Sequence, residues 1–118
     1  MARAMIVDDA AIMRMCLKDI LEPEHQVVAE AGDGEKALEV YAELKPDFVT
    51  LDITMPKLNG IEALEKLIAE YPEAKVIIVS AVGQKQLVFQ ALGLGVKDFI
   101  VKPFDPDRVR QSINRLFE

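Results

Sequence analysis

Hydrophobic positions along the chain follow two alternating rhythms. Short runs at residues 4–7, 26–30, 48–51, 76–79 and 98–101 read as strands, several of them continuously apolar, as expected when helices cover both faces of a sheet. Between them the spacing turns helical. Met13, Cys16, Leu17, Ile20 and Leu21 form an i, i+3, i+4, i+7 stripe that Pro23 ends. Asp33-Gly34 opens a second helix, with Ala37, Leu38, Tyr41 and Leu44 inward and Pro46 stopping it. Asn59-Gly60-Ile61-Glu62 has the form of a capping box with an amide in place of the hydroxyl, ahead of Leu64, Leu67 and Ile68. Residues 84–92 make a fourth helix that runs out at Gly93 and Gly95. Asp105 caps a fifth, with Pro106 at its first position and Val109, Ile113 and Leu116 inward. The pattern predicts an α/β fold, (βα)5, with a parallel sheet and right-handed crossovers.

Composition narrows this picture. A chain of 118 residues with 51% hydrophobic and 29% charged content is expected to be one domain, residues 1–118, burying a single core without disulfides. No apolar run approaches the roughly 20 residues of a membrane span, and the N-terminus lacks the apolar segment of a signal peptide. Cytoplasmic localisation without membrane insertion is the expectation. The lone Cys16 fits a reducing compartment. With Met13 and Met15 it is expected to serve helix packing. A net charge of −6 argues against direct nucleic-acid binding. His25, beside Glu24 in a polar loop, reads as solvated.

Candidate chemistry comes from where polar residues interrupt the apolar runs. Asp8 and Asp9 follow the first, Asp52 the third, Ser80 the fourth and Lys102 the fifth. Parallel strands would gather all five at the carboxyl edge of the sheet, where open α/β folds bind ligands. Three carboxylates, a hydroxyl and an ammonium there make a metal and phosphoryl site. Singly, each has a plainer reading: Asp8 or Asp9 as a helix cap, Asp52 as a turn residue, Ser80 as a loop hydroxyl, Lys102 as a solvated charge. Their joint placement favours the site.

The motifs I-V-D-D at 6–9, L-D-I-T-M-P-K-L-N-G at 51–60, V-S-A at 79–81 and K-D-F-I-V-K-P-F at 97–104 resemble, over the whole chain, the receiver domain of two-component response regulators. D-D-A-A-I-M-R at 8–14 and S-A-V-G-Q at 80–84 are further similar to stand-alone chemotaxis receivers of the CheY type. The resemblance implies a flavodoxin-like three-layer sandwich with strand order 2-1-3-4-5. It implies a switch that takes a phosphoryl group from a histidine kinase onto Asp52 with Mg²⁺, or Mn²⁺ in its place. Asp9, with Asp8 in support through water and the backbone carbonyl of Thr54, would hold the metal together with Asp52. Lys102 would pair with one phosphoryl oxygen and Ser80 would donate to another. The resemblance also carries a cis Lys102-Pro103 bond and puts Phe99 at a switch position, its ring turning inward as Ser80 moves.

The implied partners are a chemotaxis kinase, an effector such as a flagellar motor switch protein reached through the fourth helix, fifth strand and fifth helix, and a dedicated phosphatase. The resemblance puts Thr54 and Val82 at the positions flanking the attacking water, where neither offers an amide or carboxylate, which implies slow self-dephosphorylation. The chain would catalyse its own phosphorylation and dephosphorylation but is expected to be mainly a signalling protein. Three other readings compete, one of them a pure scaffold with a dead receiver fold, against which the complete acidic set argues. The chain could be the receiver of a longer DNA-binding regulator, although it stops just after the fifth helix. It could be a haloacid-dehalogenase-type phosphatase, but that chemistry needs a second acid two residues after the nucleophile, where Thr54 stands.

Overall fold

A computed structural model describes residues 1–55 and 59–118. Strands β1 (Arg3–Val7), β2 (Gln26–Ala31), β3 (Phe48–Asp52), β4 (Val76–Ala81) and β5 (Asp98–Lys102) alternate with helices α1 (Ala11–Leu21), α2 (Gly34–Leu44), α3 (Gly60–Glu70), α4 (Lys85–Leu94) and α5 (Pro106–Leu116). All strand pairs are parallel. The sheet runs β2-β1-β3-β4-β5, the flavodoxin-like order that the resemblance implied. Strand order reverses between β1 and β3, so the carboxyl ends of those two strands open onto the crevice.

The apolar runs are continuous because both faces of the central strands are buried. Met5, Val7, Val49, Leu51 and Ile78 face a core completed by Tyr41 of α2, Leu64 and Leu67 of α3, and Val88 and Ala91 of α4. Ala4, Ile6, Phe48, Ile77 and Ile100 face the opposite core, with Leu17 and Leu21 of α1 and Val109 and Ile113 of α5. Neighbouring residues on one strand thus serve different layers, as the period of two demands.

Helix starts follow the capping residues. The Asp33, Asn59 and Asp105 side chains accept the backbone N–H groups of Lys36, Glu62 and Arg108 at 2.8, 3.0 and 2.9 Å. Helix α4 passes through Gly93 and stops only at Gly95, whose φ of +110° makes the left-handed cap. An isolated glycine weakens a helix without ending it. The α1 stripe is narrower than its spacing suggests. Leu17, Ile20 and Leu21 are buried, whereas Met15 and Cys16 are exposed and Met13 is half-buried. Cys16 and Met15 therefore do not pack in the core, because they lie past the edge of the helix face that meets the sheet. His25 is not simply solvated either: its Nδ1 accepts the Ala2 N–H at 3.1 Å and its ring stands edge-on to Phe48. Burial pushes its pKa below the usual value.

Gly60 is required for a different reason from its place at a helix start. A Cβ there would lie 2.2 Å from the Asp52 carbonyl oxygen and 2.6 Å from Ile53 Cα, while the Gly60 N–H donates to the Ile53 carbonyl at 2.8 Å. Gly60→Ala should force α3 away from the end of β3 and lower stability by about 2 kcal/mol, read by thermal unfolding. An unchanged melting temperature would mean that the loop yields freely.

Candidate functional site

Asp8 and Asp9 follow β1, and Asp52 is the last residue of β3, on the next strand over. One carboxylate oxygen from each lies within 4.8 Å of the other two. Asp8 and Asp52 are buried, with 1% and 5% of their surface exposed, while Asp9 is exposed. Lys102, at the end of β5, reaches across β4: its Nζ is 3.1 Å from Asp8 Oδ2 and 3.6 Å from Asp52 Oδ2. The Lys102–Pro103 bond is cis.

Neither Asp8 nor Asp9 is the N-cap of α1, a position held by Ala10 without a side-chain bond. Asp8 Oδ1 instead accepts the Ala10 N–H at 2.9 Å, which leaves its other oxygen to Lys102. Arg14 donates to the Asp8 carbonyl at 2.6 Å and pairs with Glu30 at 3.1 Å, bracing the loop after β1. Asp52 Oδ1 accepts the Thr54 N–H at 3.3 Å. Burial, and after it the charge of Asp8, push the Asp52 pKa up to about 6, against the pull of Lys102 and the Thr54 N–H. One lysine does not neutralise the group.

Ser80, on β4 between β3 and β5, is 1% exposed. Its Oγ has no hydrogen-bond partner among the described residues. A buried hydroxyl without a partner is costly and uncommon. Ser80 shares a cavity of about 300 Å³ with Phe99, Val88, Phe89, Leu92 and Val101. Phe99 is half-buried against the core formed by α2, α3 and α4, opposite in direction to Ile100, as strand parity requires. Val82 also borders this cavity and is 78% exposed.

The structure brings Asp8, Asp9, Asp52 and Lys102 within ion-pair or ligand range and sets Ser80 and Phe99 on one cavity wall. Pro56, Lys57 and Leu58, inside the longest motif, lie outside the described residues. Two participants escaped the sequence reading. Gly60 gives no sign that it must approach the Asp52 carbonyl. Gln84 ends the S-A-V-G-Q motif without an obvious task, yet its carboxamide donates to Thr54 Oγ1 and accepts the Ala81 N–H. Thr54, expected to stand without an amide, has one bonded to its hydroxyl.

The family model for the response regulator receiver domain matches residues 4–114. The chain belongs to the response regulator receiver domains. Curated relatives of this receiver include the chemotaxis protein CheY of Thermotoga maritima, 52% identical over 97% of this chain and 96% of that protein, and that of Bacillus subtilis, 52% identical over 96% and 95%. Among solved structures, the CheX–CheY–BeF₃–Mg²⁺ complex from Borrelia burgdorferi matches with a TM-score of 0.94 and 39% identity, covering 98% of this receiver and 89% of that chain. The receiver is thus closely related to the chemotaxis regulators. It fits a phosphorylation-activated chemotaxis switch better than the DNA-binding alternative.

Receiver domains bind Mg²⁺ at their acidic pocket, and the donors here suit it. Mg²⁺ takes hard oxygen ligands, few of them from protein. Three clustered carboxylates, one of them with its pKa raised by burial and by a like charge, are a set that a divalent cation relieves. No helix among the described residues is long and apolar enough to cross a membrane.

Proposed function

We propose that Asp52 is the phosphoacceptor of a chemotaxis switch spanning residues 1–118, phosphorylated by a histidine kinase in the cytoplasm. The observation that carries this reading is the Asp52 carboxylate: buried, 3.6 Å from Lys102 and clustered with Asp8 and Asp9. An Asp52 oxygen attacks phosphorus as the P–N bond of the donor phosphohistidine breaks, and the departing imidazole takes up a proton. The obstacle is repulsion between the carboxylate and the phosphoryl oxygens. Lys102 opposes that repulsion from one side. Mg²⁺, or Mn²⁺ as a substitute, would be held by Asp9, Asp52 and the Thr54 carbonyl, with Asp8 acting through water, and would supply positive charge between acceptor and donor.

Ser80 then has a use for its hydroxyl, which lacks a partner among the described residues and donates to a phosphoryl oxygen. Its movement frees space in the shared cavity for the Phe99 ring, altering the surface of α4, β5 and α5 that an effector such as a flagellar motor switch protein reads. A complex of a CheY with CheX among the structural neighbours supports a dedicated phosphatase as another partner. Mass spectrometry with a small phosphodonor tests the assignment. Wild type with Mg²⁺ should gain one phosphoryl mass, and Asp52→Asn or protein in EDTA should gain none. Labelling of Asp52→Asn at the wild-type level would refute it.

A further inference from the structure

The two loops beside Asp52 meet on the side chain of Gln84. Its Oε1 accepts the Ala81 N–H at 2.7 Å, and its Nε2 donates to Thr54 Oγ1. Thr54 in turn donates its N–H to Asp52. Ala81 follows Ser80, whose hydroxyl is buried and unpartnered among the described residues. A single carboxamide therefore ties the segment after β3 to the end of β4. Local geometry delivers it there: the Gln84 N–H donates to the Ala81 carbonyl at 3.4 Å, closing a turn through Gly83 with φ of +94°. That turn folds the chain back just before α4.

We propose that the Gln84 carboxamide is a latch holding the end of β4 in its resting position, and that it sets how readily Asp52 takes a phosphoryl group. This rests on Asp52 being the acceptor. In this latch the Ser80 backbone shifts toward the end of β3 as its Oγ, buried and without a partner among the described residues, turns to a phosphoryl oxygen on Asp52. The Ser80–Ala81 peptide is planar and moves as a unit. The Ala81 N–H must then leave Gln84 Oε1, and the strain passes through the same side chain to Thr54. Opening the latch exchanges two protein hydrogen bonds for bonds to water, a net change that is small but unfavourable. The resting arrangement is favoured by that amount, and the phosphorylated one must overcome it. Gln84 is on this account a positioning residue and touches no reacting atom.

Beryllofluoride with Mg²⁺, an aspartyl-phosphate mimic, separates the latch from the fold. Gln84→Met keeps the length of the side chain and removes both hydrogen bonds, and Gln84→Asn is too short to span the two loops. Each variant should bind beryllofluoride about three to ten times more tightly than wild type, with unchanged affinity for Mg²⁺ alone. The Ala81 amide, followed by NMR hydrogen exchange, should be less protected in both resting variants. In wild type its resonance should shift when beryllofluoride saturates the site. Weaker or unchanged beryllofluoride binding overturns the latch, as does a parallel loss of Mg²⁺ affinity, which would mean a loosened site. Should Gln84→Met not fold, Gln84→Asn decides alone. If wild type binds no beryllofluoride, or Asp52→Asn binds it equally, the assignment of Asp52 fails instead.

Discussion

In the absence of divalent cations near pH 7.5, Asp52→Asn should be more stable than wild type by roughly 2 kcal/mol, and Mg²⁺ should raise the melting temperature of wild type far more than that of the variant. The Asp52 pKa stands near 6 in the fold, against an ordinary value of 3.8. Each unit corresponds to about 1.4 kcal/mol of preference for the neutral form. Because the folded pKa is raised, the charged carboxylate weakens the fold above pH 6, and that penalty fades as pH falls through 6 toward 3.8. His25 acts in the opposite sense. Its pKa is lowered in the fold, so the unfolded chain takes up its proton first below about pH 6.5 and the fold loses stability there. Comparing wild type with Asp52→Asn cancels the histidine. The difference between them should shrink from pH 7 to pH 4, read by thermal or urea unfolding. A variant less stable than wild type at pH 7.5 without metal, or one with the full Mg²⁺ increment, would contradict this account of the cluster.

The largest loss of stability is expected at the other end of β5. Asp98 opens the strand, and its carboxylate accepts the Ser112 hydroxyl at 2.7 Å and the Phe99 N–H at 2.8 Å. Arg108 approaches it at 3.4 Å and Arg115 at 3.7 Å. Arg108 also donates to the Phe99 carbonyl at 2.7 Å, so the network clamps α5 onto the strand that carries Phe99. Burial works against the Asp98 charge, yet the bonds from Ser112, the Phe99 N–H and Arg108 outweigh it, and the pKa falls below its ordinary value. Asp98→Ala would leave the fully buried Ser112 hydroxyl without its acceptor and Arg108 without its charge partner. The expected cost is about 3 kcal/mol, or roughly 10 °C in melting temperature. Asp98→Asn, which keeps one acceptor oxygen, should lose about half as much. A depressed pKa gives stability that is present above 3.8 and lost as pH falls through the folded value. The deficit of Asp98→Ala should therefore narrow near pH 3. A deficit under about 0.5 kcal/mol at pH 7 would show that the network is ornamental.

Much of the candidate site was legible because its residues sit where strands end. Asp8, Asp9, Asp52, Ser80 and Lys102 each close an apolar run, and parallel strands bring such positions to one edge whatever their order. Asn59 and Asp105 were legible as caps because capping is local, needing only an N–H three residues on. The α1 face was misjudged at Met15 and Cys16 since periodicity marks a stripe, while its width depends on how squarely the helix meets the sheet. Ser112 and Arg108 are polar positions of α5 that its spacing does not single out. They matter because α5 lies against β5, a relation that no window of sequence contains.

The amino-acid sequence by itself determined the elements, their parallel sense, the two-sided burial and the chemical character of the sheet edge, since each follows from periods of two and 3.6 residues and from end signals within a few positions. Tertiary structure decided what depends on distance between segments far apart in the chain. Alternation permits several strand orders, and only packing selects the one that sets Asp8 beside Asp52 and lets Lys102 span β4 to reach both. The raised pKa of Asp52, the burial of the Ser80 hydroxyl, the clearance at Gly60 and the Gln84 bridge to Thr54 arise from burial and approach across such segments. Desolvation and contact are properties of the assembled molecule, and a linear pattern carries neither.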